Sequence, residues 1–453
     1  MQTSTAASQS RVRHQSHGAM TQRSWTRRRL GAVPSVGCLR NRIPGFAVSS
    51  RLMTAPAPAL DAEPDCPGPD LALRRTTPTL TAAPARALRA ERCPFDDIAR
   101  STWDELAGRN PWATPFSAWA FHRAWWDAYR ANAHEETLVV LDDARDGEIV
   151  AVVPLMHRHE VEPSDALTHT TLRGYPHLEM TPVPPTAKAV FFGASYHADY
   201  ATVLCAPADL GDVSDAVADY FRDPSCGDWD AVDLRRLRCA DPAAHALAAA
   251  FGAREITHGW TLNVEREDVC PVVTFAEGAD MESYLATLGK KERHEVRRKV
   301  RRAEAVGPIV LADAAEPLAE LEDFIDLHQR RWGDRGLFPD TPGGAQSRVL
   351  VRRLFELFGP DGPIRLTFLS VGGRRIAAGI HFETADGILY YNAGVDPDAR
   401  DLSPGVLMVY AYVERALAAG KRRMDFLRGD EPYKYEWGAV DEPIQRLLLR
   451  RTV

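Results

Sequence analysis

The tripeptide Ser403-Pro404-Gly405 combines residue types that could hold an anion. Serine is a frequent N-cap, because its hydroxyl accepts a hydrogen bond from a backbone N–H of the first helical turn. Proline suits the first helical position, and glycine lets a ligand approach the backbone closely. A helix N-terminus carries free N–H groups and a partial positive charge, so the tripeptide predicts a phosphate or pyrophosphate site. An ordinary helix cap that binds nothing is the alternative.

Residues 425–438 follow that helix and read Asp-Phe-Leu-Arg-Gly-Asp-Glu-Pro-Tyr-Lys-Tyr-Glu-Trp-Gly. This stretch resembles the C-terminal signature of the GNAT superfamily branch typified by CelD-like acetyltransferase domains, which are related to the Fem peptidyl transferases. A second resemblance lies upstream, where Tyr284-Leu285 precedes the run Lys-Lys-Glu-Arg-His-Glu-Val-Arg-Arg-Lys that starts at Lys290. The two motifs stand in the order typical of that family, with the helix cap between them.

The resemblance implies a GNAT-type acyltransferase that uses acetyl-CoA and an amine acceptor, with no metal. The pyrophosphate of acetyl-CoA would lie over the first turn of the helix, and its pantetheine arm would lie between strands at residues 390–392 and 425–427. If those strands part, their free N–H groups can hold the thioester oxygen as it becomes negative. The implied donor-binding residues are Asn392, Ser403, Gly405, Val406, Phe426 and Arg428.

In such a reaction the acceptor amine attacks the thioester directly, so positioning supplies much of the rate. The amine must lose a proton and the leaving thiolate can take one. Asp430 or Glu431 is the expected base and Tyr433 the expected acid, while Lys434 resembles the Fem lysine that faces the donor's phosphate or carbonyl. A turn role for Asp430 and plain packing for Tyr433 are the alternatives.

A strongly basic helix is predicted upstream. Between Lys290 and Arg302 there are eight Lys or Arg residues and two Glu. One interpretation is a solvated helix with pairs such as Glu295 with Lys299. The other is a basic rim for the nucleotide end of a donor, a polyanionic substrate or tRNA, with Lys290, Arg293 and Arg297 as candidates.

Other chemistry has little support in the sequence. Arg331 and Trp332 could line an acceptor pocket, whereas His328 fits the apolar stripe of its helix and is favoured as a core histidine; His381 fits either role. The sequence has no zincin motif, no Gly-x-Ser-x-Gly elbow, no Walker A loop and no metal-ligand spacing.

Two further functions stay open. A Fem-like aminoacyl transferase that uses aminoacyl-tRNA is favoured by the basic helix, but the net charge of −7 argues against general nucleic-acid affinity and no DNA partner is expected. A non-catalytic module that binds a polysaccharide or envelope precursor is the third hypothesis. By analogy with the family, the acceptor is an amino sugar or peptide amine of envelope or exopolysaccharide synthesis.

The pattern of elements predicts an α/β (α+β) fold of two tandem GNAT-like lobes, each a mixed sheet flanked by helices. Each lobe has a hairpin with a glycine turn, a later helix and a strand that carries Asp-Leu-Arg or Asp-Phe-Leu-Arg, starting at Asp233 and Asp425. We expect a first lobe at 93–266 without a cofactor site and a catalytic second lobe at 267–453. The main predicted helices are 119–129, 213–221, 243–251, 281–305, 316–332 and 347–358.

Residues 1–92 differ from the rest, since no Asp or Glu occurs before Asp61 and Pro and Ala dominate after Met53. We expect disorder there, or a true start at Met53, in preference to a targeting peptide. No apolar run is long enough to span a membrane. The seven cysteines show no Cys-x-x-Cys pattern, which is typical of a cytoplasmic protein with reduced thiols. Oligomeric state is not readable from the sequence.

Overall fold

The computed structural model of the protein describes residues 87–131, 133–158, 180–184, 186–223 and 226–452. The expectation of disorder and the Met53 start concern residues that lie mostly outside this part of the chain. Strand β1 occupies Leu88–Arg92, so the end of the segment that was assigned to the tail is structured. The prediction of disorder up to Arg92 is wrong for these residues, because they pair with a strand of the first lobe.

The helices of the described residues fall in both lobes. They are α1 (Arg100–Arg109), α2 (Trp119–Tyr129), α3 (Leu210–Arg222), α4 (Pro242–Gly252), α5 (Glu255–His258), α6 (Met281–Thr287), α7 (Lys290–Glu304), α8 (Leu321–Trp332), α9 (Pro342–Phe358), α10 (Pro404–Ala418) and α11 (Pro432–Tyr435). The strands after β1 are β2 (Ala133–Glu135), β3 (Leu138–Asp142), β4 (Glu148–Val153), β5 (Leu155–Arg158), β6 (Ala189–Phe192), β7 (Leu204–Cys205), β8 (Ala231–Arg238), β9 (Trp260–Thr274), β10 (Ile309–Asp313), β11 (Ile364–Val371), β12 (Arg374–Glu383), β13 (Gly387–Val395), β14 (Arg423–Asp425) and β15 (Val440–Arg451).

Two sheets organise these elements. A four-stranded sheet has the order β1-β3-β4-β7, and an eleven-stranded sheet has the order β10-β11-β12-β13-β14-β9-β15-β8-β6-β5-β2. The long strands β9 and β15 pair with each other antiparallel at its centre. Since β9 also pairs with β14 and β15 also pairs with β8, one sheet runs through both lobes.

The same unit of strand, helix and parallel strand occurs twice. In the first lobe α3 connects β6 to β8, and in the second lobe α10 connects β13 to β14. Each parallel pair has three residue partners and ends at an aspartate, Asp233 in one lobe and Asp425 in the other. The predicted tandem α/β lobes are therefore confirmed, while the boundary predicted at 266/267 falls inside β9 and stays a prediction.

Several predicted elements have the bounds expected from local signals. Helix α2 begins and ends where predicted. The hairpin of β3 and β4 turns through left-handed Asp146 and Gly147, and that of β11 and β12 turns through left-handed Gly372 and Gly373. These turns demand positive φ, which glycine adopts without a steric penalty.

Other bounds were wrong. The helix predicted at 281–305 is two helices, because Leu288 and Gly289 are extended between α6 and α7. The helix predicted at 316–332 begins at Leu321. The strand expected at residues 425–427 ends at Asp425.

Four apolar clusters hold the described residues together, and three of them are large. One lies within the first lobe around α3 and α4, and one lies between α10 and its side of the second-lobe sheet. The third joins the lobes, since it combines Phe121 and Trp125 of α2 with Leu350 and Leu354 of α9. Among the described residues, no helix is both long and apolar enough to cross a membrane, and the five described cysteines are free thiols.

Candidate functional site

The candidate site is built on the point at which β13 and β14 part. The two parallel strands pair at only three positions, the last of which joins Leu389 to Asp425. Strand β13 continues to Val395, whereas the N–H of Phe426 donates to the carbonyl of Pro271 on β9 at 3.0 Å. The side chains of residues 390–393 are half-buried. The carboxyl ends of the two strands therefore enclose a split, as the acyl-transfer hypothesis requires.

Left-handed backbone turns the chain away from β13 after Asp425. Leu427 has φ +56° and Gly429 has φ +107°, and a positive φ is uncommon for a branched residue such as leucine. The Asp425 carboxylate accepts a hydrogen bond from the Leu427 N–H at 2.8 Å. The N–H of Gly429 donates to the carbonyl of Val269 at 2.9 Å. We call residues 426–429 the bend, and these bonds fix it against β9.

Lys434 holds the bend from the other side. Its side chain is buried, and its ammonium donates to the carbonyls of Leu427, Arg428 and Gly429 at 3.0, 3.0 and 2.8 Å. It also pairs with Glu431 at 2.9 Å. The three ammonium hydrogens are thus taken up by the protein's own carbonyls. These bonds hold the bend in place, and the expectation that Lys434 faces the donor stays a prediction.

Helix α10 begins at the same edge of the sheet as the split. Ser403 precedes it with a left-handed backbone, φ +57°. Its hydroxyl accepts a hydrogen bond from the Arg302 guanidinium at 2.8 Å and, within the described residues, makes no capping bond to the helix. The prediction of a serine cap is wrong, because the Ser403 hydroxyl is bonded to Arg302 of α7 and not to an N–H group of the first turn of α10.

Only some of the groups in the predicted phosphate site at residues 403–406 can still bind an anion. The N–H groups of Ser403 and Val406 donate to the carbonyls of Arg400 and Ser403 at 3.0 Å. Gly405 is exposed, and no described atom beyond its chain neighbours lies within 4 Å of the place where its Cβ would stand. The open N–H of Gly405 and the exposed cation of Arg302 are therefore the groups that this helix end offers to an anion.

Aromatic side chains and one arginine line the α10 side of the split. The Phe426 ring packs edge-on against Tyr390 at 6.2 Å and against Tyr433 at 5.9 Å between centroids. Burial raises the pKa of the Tyr433 hydroxyl above its usual range, Glu431 adds to the rise and the Arg331 charge opposes it. Burial also raises the pKa of Tyr390, and the Arg331 charge again opposes the rise. Phe426, Tyr433 and Arg331, which lie far apart in sequence, are thus brought together.

Asn392 faces the C-terminal half of α8. It lies near His328, which is 3% exposed and whose pKa is lowered mainly by burial, so His328 is the core histidine that its helix position favoured. His381 is likewise fully buried and bonded to Tyr412. Trp332 is 41% exposed with the Arg331 guanidinium 4.9 Å from its ring centre. An acceptor-side role for Arg331 and Trp332 stays a prediction.

The expected carboxylates stand on the solvent side of the bend. Asp430 is half-buried and Glu431 is exposed, and Glu431 is already paired with Lys434. Arg428, expected at the donor, instead donates from Nε to Asp199 of the first lobe at 3.2 Å. This ion pair directs the guanidinium to the first lobe, and the donor-binding role of Arg428 stays a prediction.

The basic helix α7 presents its charges along its length. Arg297 pairs with Glu282 of α6, Arg293 donates to the carbonyl of Ala286 at 3.2 Å, and Lys290 is exposed. These three predicted cations lie at the N-terminal two thirds of the helix. Arg302, near its other end, is the cation that meets α10, and nothing in the sequence singles it out from its seven basic neighbours.

Two further polar residues at the split escaped the sequence analysis. Asp425 is 3% exposed, and burial raises the pKa of its carboxyl to about 6. The hydroxyl of Tyr200, from the first lobe, donates to it at 2.8 Å. The position of Asp425 between two apolar residues of a strand could have marked it as a candidate site residue. Nothing in the sequence marks Tyr200 in this way. Among the described residues no cluster of His, Cys, Asp or Glu could hold a metal ion.

Comparison with known proteins gives one sequence match. Residues 290–435 match the family model described as "Acetyltransferase (GNAT) domain", and no curated protein matches the chain. A crystal structure of FemX is similar over 77% of this chain and 96% of its own, at 10% identity and a TM-score of 0.48. The structure of L-PGS from Bacillus licheniformis is similar over 78% and 92%, at 9% identity and 0.43. A tandem GNAT protein from the clavulanic acid biosynthesis pathway is similar over 81% and 99%, at 12% identity and 0.39. At these scores the structural likenesses say nothing about what the chain binds.

Proposed function

Because residues 290–435 match the family model of the GNAT acetyltransferase domain, we propose that the protein transfers an acetyl group from acetyl-CoA to an amine. An acyltransferase activity follows from the family, while the donor and the acceptor are the proposal. The acceptor class that the family resemblance favours is an amino sugar or a peptide amine of an envelope or exopolysaccharide precursor.

The observation that carries the proposal is the split between β13 and β14. It opens at the carboxyl ends of two parallel strands, where α/β sheets commonly bind ligands. Beyond Leu389 the edge of β13 that faces β14 has no strand partner among the described residues. Backbone N–H groups along residues 390–393 can therefore hold the thioester oxygen as it gains negative charge.

The same edge supplies groups that suit a diphosphate. Gly405 leaves room for a phosphate to approach the backbone, and Arg302 places a positive charge beside the first turn of α10. The other cations of α7 extend this charge along the surface, where the nucleotide end of the donor would lie. Acetyl-CoA supplies the thioester whose acyl carbon the amine attacks.

Proton transfers are assigned to residues that follow the bend. Tyr433 is 41% exposed and, like any tyrosine, is protonated at neutral pH, so it can donate a proton to the leaving thiolate. Asp430 and Glu431 are the two candidates for the base that takes the amine proton, and Glu431 also pairs with Lys434. Lys434 itself fixes the backbone on which these groups stand.

Calorimetry with acetyl-CoA tests the proposal. Gly405→Glu places a negative side chain where the diphosphate would lie, and it should weaken acetyl-CoA binding at least about tenfold through repulsion. Gly343→Glu is a matched control, because Gly343 also follows a proline in an open first turn, that of α9. The control should bind acetyl-CoA as the wild type does. Absence of binding to the wild type would remove the proposed function.

A further inference from the structure

A short segment of the first lobe contacts both strands that form the split. We call residues 197–200 the brace. The Tyr391 hydroxyl, on β13, donates to the carbonyl of His197 at 3.0 Å. On the other strand, Tyr200 donates to Asp425 at 2.8 Å. The Arg428 guanidinium, on the bend, donates to Asp199 at 3.2 Å. One segment thus spans the opening from edge to edge.

The brace lies on the face of the sheet opposite α10. Ile388, Met424 and Phe426 pack in the same cluster as α10. The alternating residues Leu389 and Leu427 pack instead in the cluster that joins the lobes, together with Tyr200 and Ala198 of the brace. Because successive strand residues point to opposite faces, the brace covers the side of the split that α10 leaves uncovered.

The contacts of the brace are largely withdrawn from water. Asp425 and Tyr200 are each 3% exposed, and the side chains of Asp199 and Arg428 are 14% and 17% exposed. Buried hydrogen bonds to charged partners are stronger than exposed ones, and losing one partner leaves the other group unsatisfied. The three contacts therefore resist both closure and further opening of the split.

We propose that the brace is a part of the acyl-transfer site, in which it fixes the separation of β13 and β14 and so positions the acyl donor. The inference rests on the proposed function. It gives the first lobe a direct task in the second. The residue that follows the brace, Ala201, forms a parallel bridge to Leu237 of β8, so the brace is also attached to the sheet of its own lobe. His197, Asp199 and Tyr200 act as positioning residues, through β13 and the bend.

Paired Tyr→Phe variants test this role. The double variant Tyr200→Phe/Tyr391→Phe removes the two hydroxyl contacts and retains both rings. Tyr284→Phe is the matched control, because the Tyr284 hydroxyl is also buried and donates to a carbonyl, that of Trp437 at 2.6 Å, within the second lobe. Acetyl-CoA dissociation constants are measured by calorimetry and midpoints of thermal unfolding by circular dichroism, in the wild type and each variant.

If the brace positions the donor, the double variant should bind acetyl-CoA at least about fivefold more weakly than the wild type. This loss should exceed any loss in Tyr284→Phe, even where the unfolding midpoints of the two variants fall equally. Equal binding by the double variant and the wild type overturns the role of the brace and leaves the proposed function intact. A parallel loss of binding and of thermal stability in both Tyr284→Phe and the double variant also overturns it, because the effect would then follow general destabilisation. No acetyl-CoA binding by the wild type would remove the proposed function itself.

Discussion

At the scale of single residues, Asp425 is the group whose ionisation the fold opposes. Burial raises its pKa to about 6, whereas an aspartate in an unfolded chain titrates near its ordinary value of about 3.9. The folded state therefore binds more protons between these two values, and the contribution of Asp425 to stability falls as pH rises through the folded pKa. Above pH 6 the folded protein bears a buried charge that the unfolded chain would leave in water.

We expect Asp425→Asn to remove this pH dependence. The amide retains an oxygen that can accept from the Leu427 N–H, so the bend keeps its bond. Between pH 5 and 7.5 the free energy of unfolding of the variant should gain about 1 kcal/mol relative to that of the wild type. Denaturant titrations at the two pH values measure this, with exposed Asp212→Asn as control. A constant difference between the two proteins would contradict the assignment.

At the scale of elements, the sequence predicts well wherever a boundary is set locally. Proline at the start of α10 is such a signal, and the helix begins at Pro404 as expected. Gly289, which separates α6 from α7, was a local signal that the charge pattern of the run obscured. The end of β14 could not be predicted in this way, since a left-handed Leu427 depends on Asp425 and on contacts with β9.

The candidate site likewise combines features that the local sequence predicts with features that only tertiary contacts determine. Phe426 and Tyr433 pack against each other at the split, and the donor-binding role of Gly405 stays a prediction. The hydrogen-bond partners of Lys434 and Arg428 are set by the folded chain. A buried ammonium is stable only when carbonyls surround it, and a buried guanidinium only when a carboxylate lies beside it. Neither Asp199 nor Arg302 stands near these residues in sequence, so their part in the site appears only after folding.

The bend is the element whose rigidity Lys434 determines. Lys434→Met keeps the length of the side chain but leaves three buried carbonyls without their donor, so unfolding should become about 2–4 kcal/mol easier. Amide exchange of residues 427–429 should accelerate and acetyl-CoA binding should weaken. Lys421→Met, which removes a lysine bound to one carbonyl, that of Thr384 at 2.6 Å, should change these properties much less. Unchanged stability and amide exchange with lost activity would instead make Lys434 a direct substrate contact.

At the scale of the whole molecule, the two lobes share one sheet. The last strand of the chain, β15, pairs along its length with β9 and also with β8 of the first lobe. Leu447 and Leu449, which belong to β15, are fully buried in the core of the first lobe. The C-terminal strand thus completes the N-terminal lobe, and neither lobe contains its whole sheet without the other's chain.

This arrangement predicts a single thermal unfolding transition. Leu449→Ala opens a cavity in the first-lobe core, and Val413→Ala removes apolar contacts of α10 in the second. Each should move the whole transition to lower temperature, the leucine variant by the larger amount because its lost volume corresponds to about 2–5 kcal/mol. Scanning calorimetry with circular dichroism and tyrosine absorbance as independent probes measures the effect. Two separable transitions, each moved by only one of the substitutions, would show that the lobes unfold independently, and the long pairing of β9 with β15 would then be too weak to couple them.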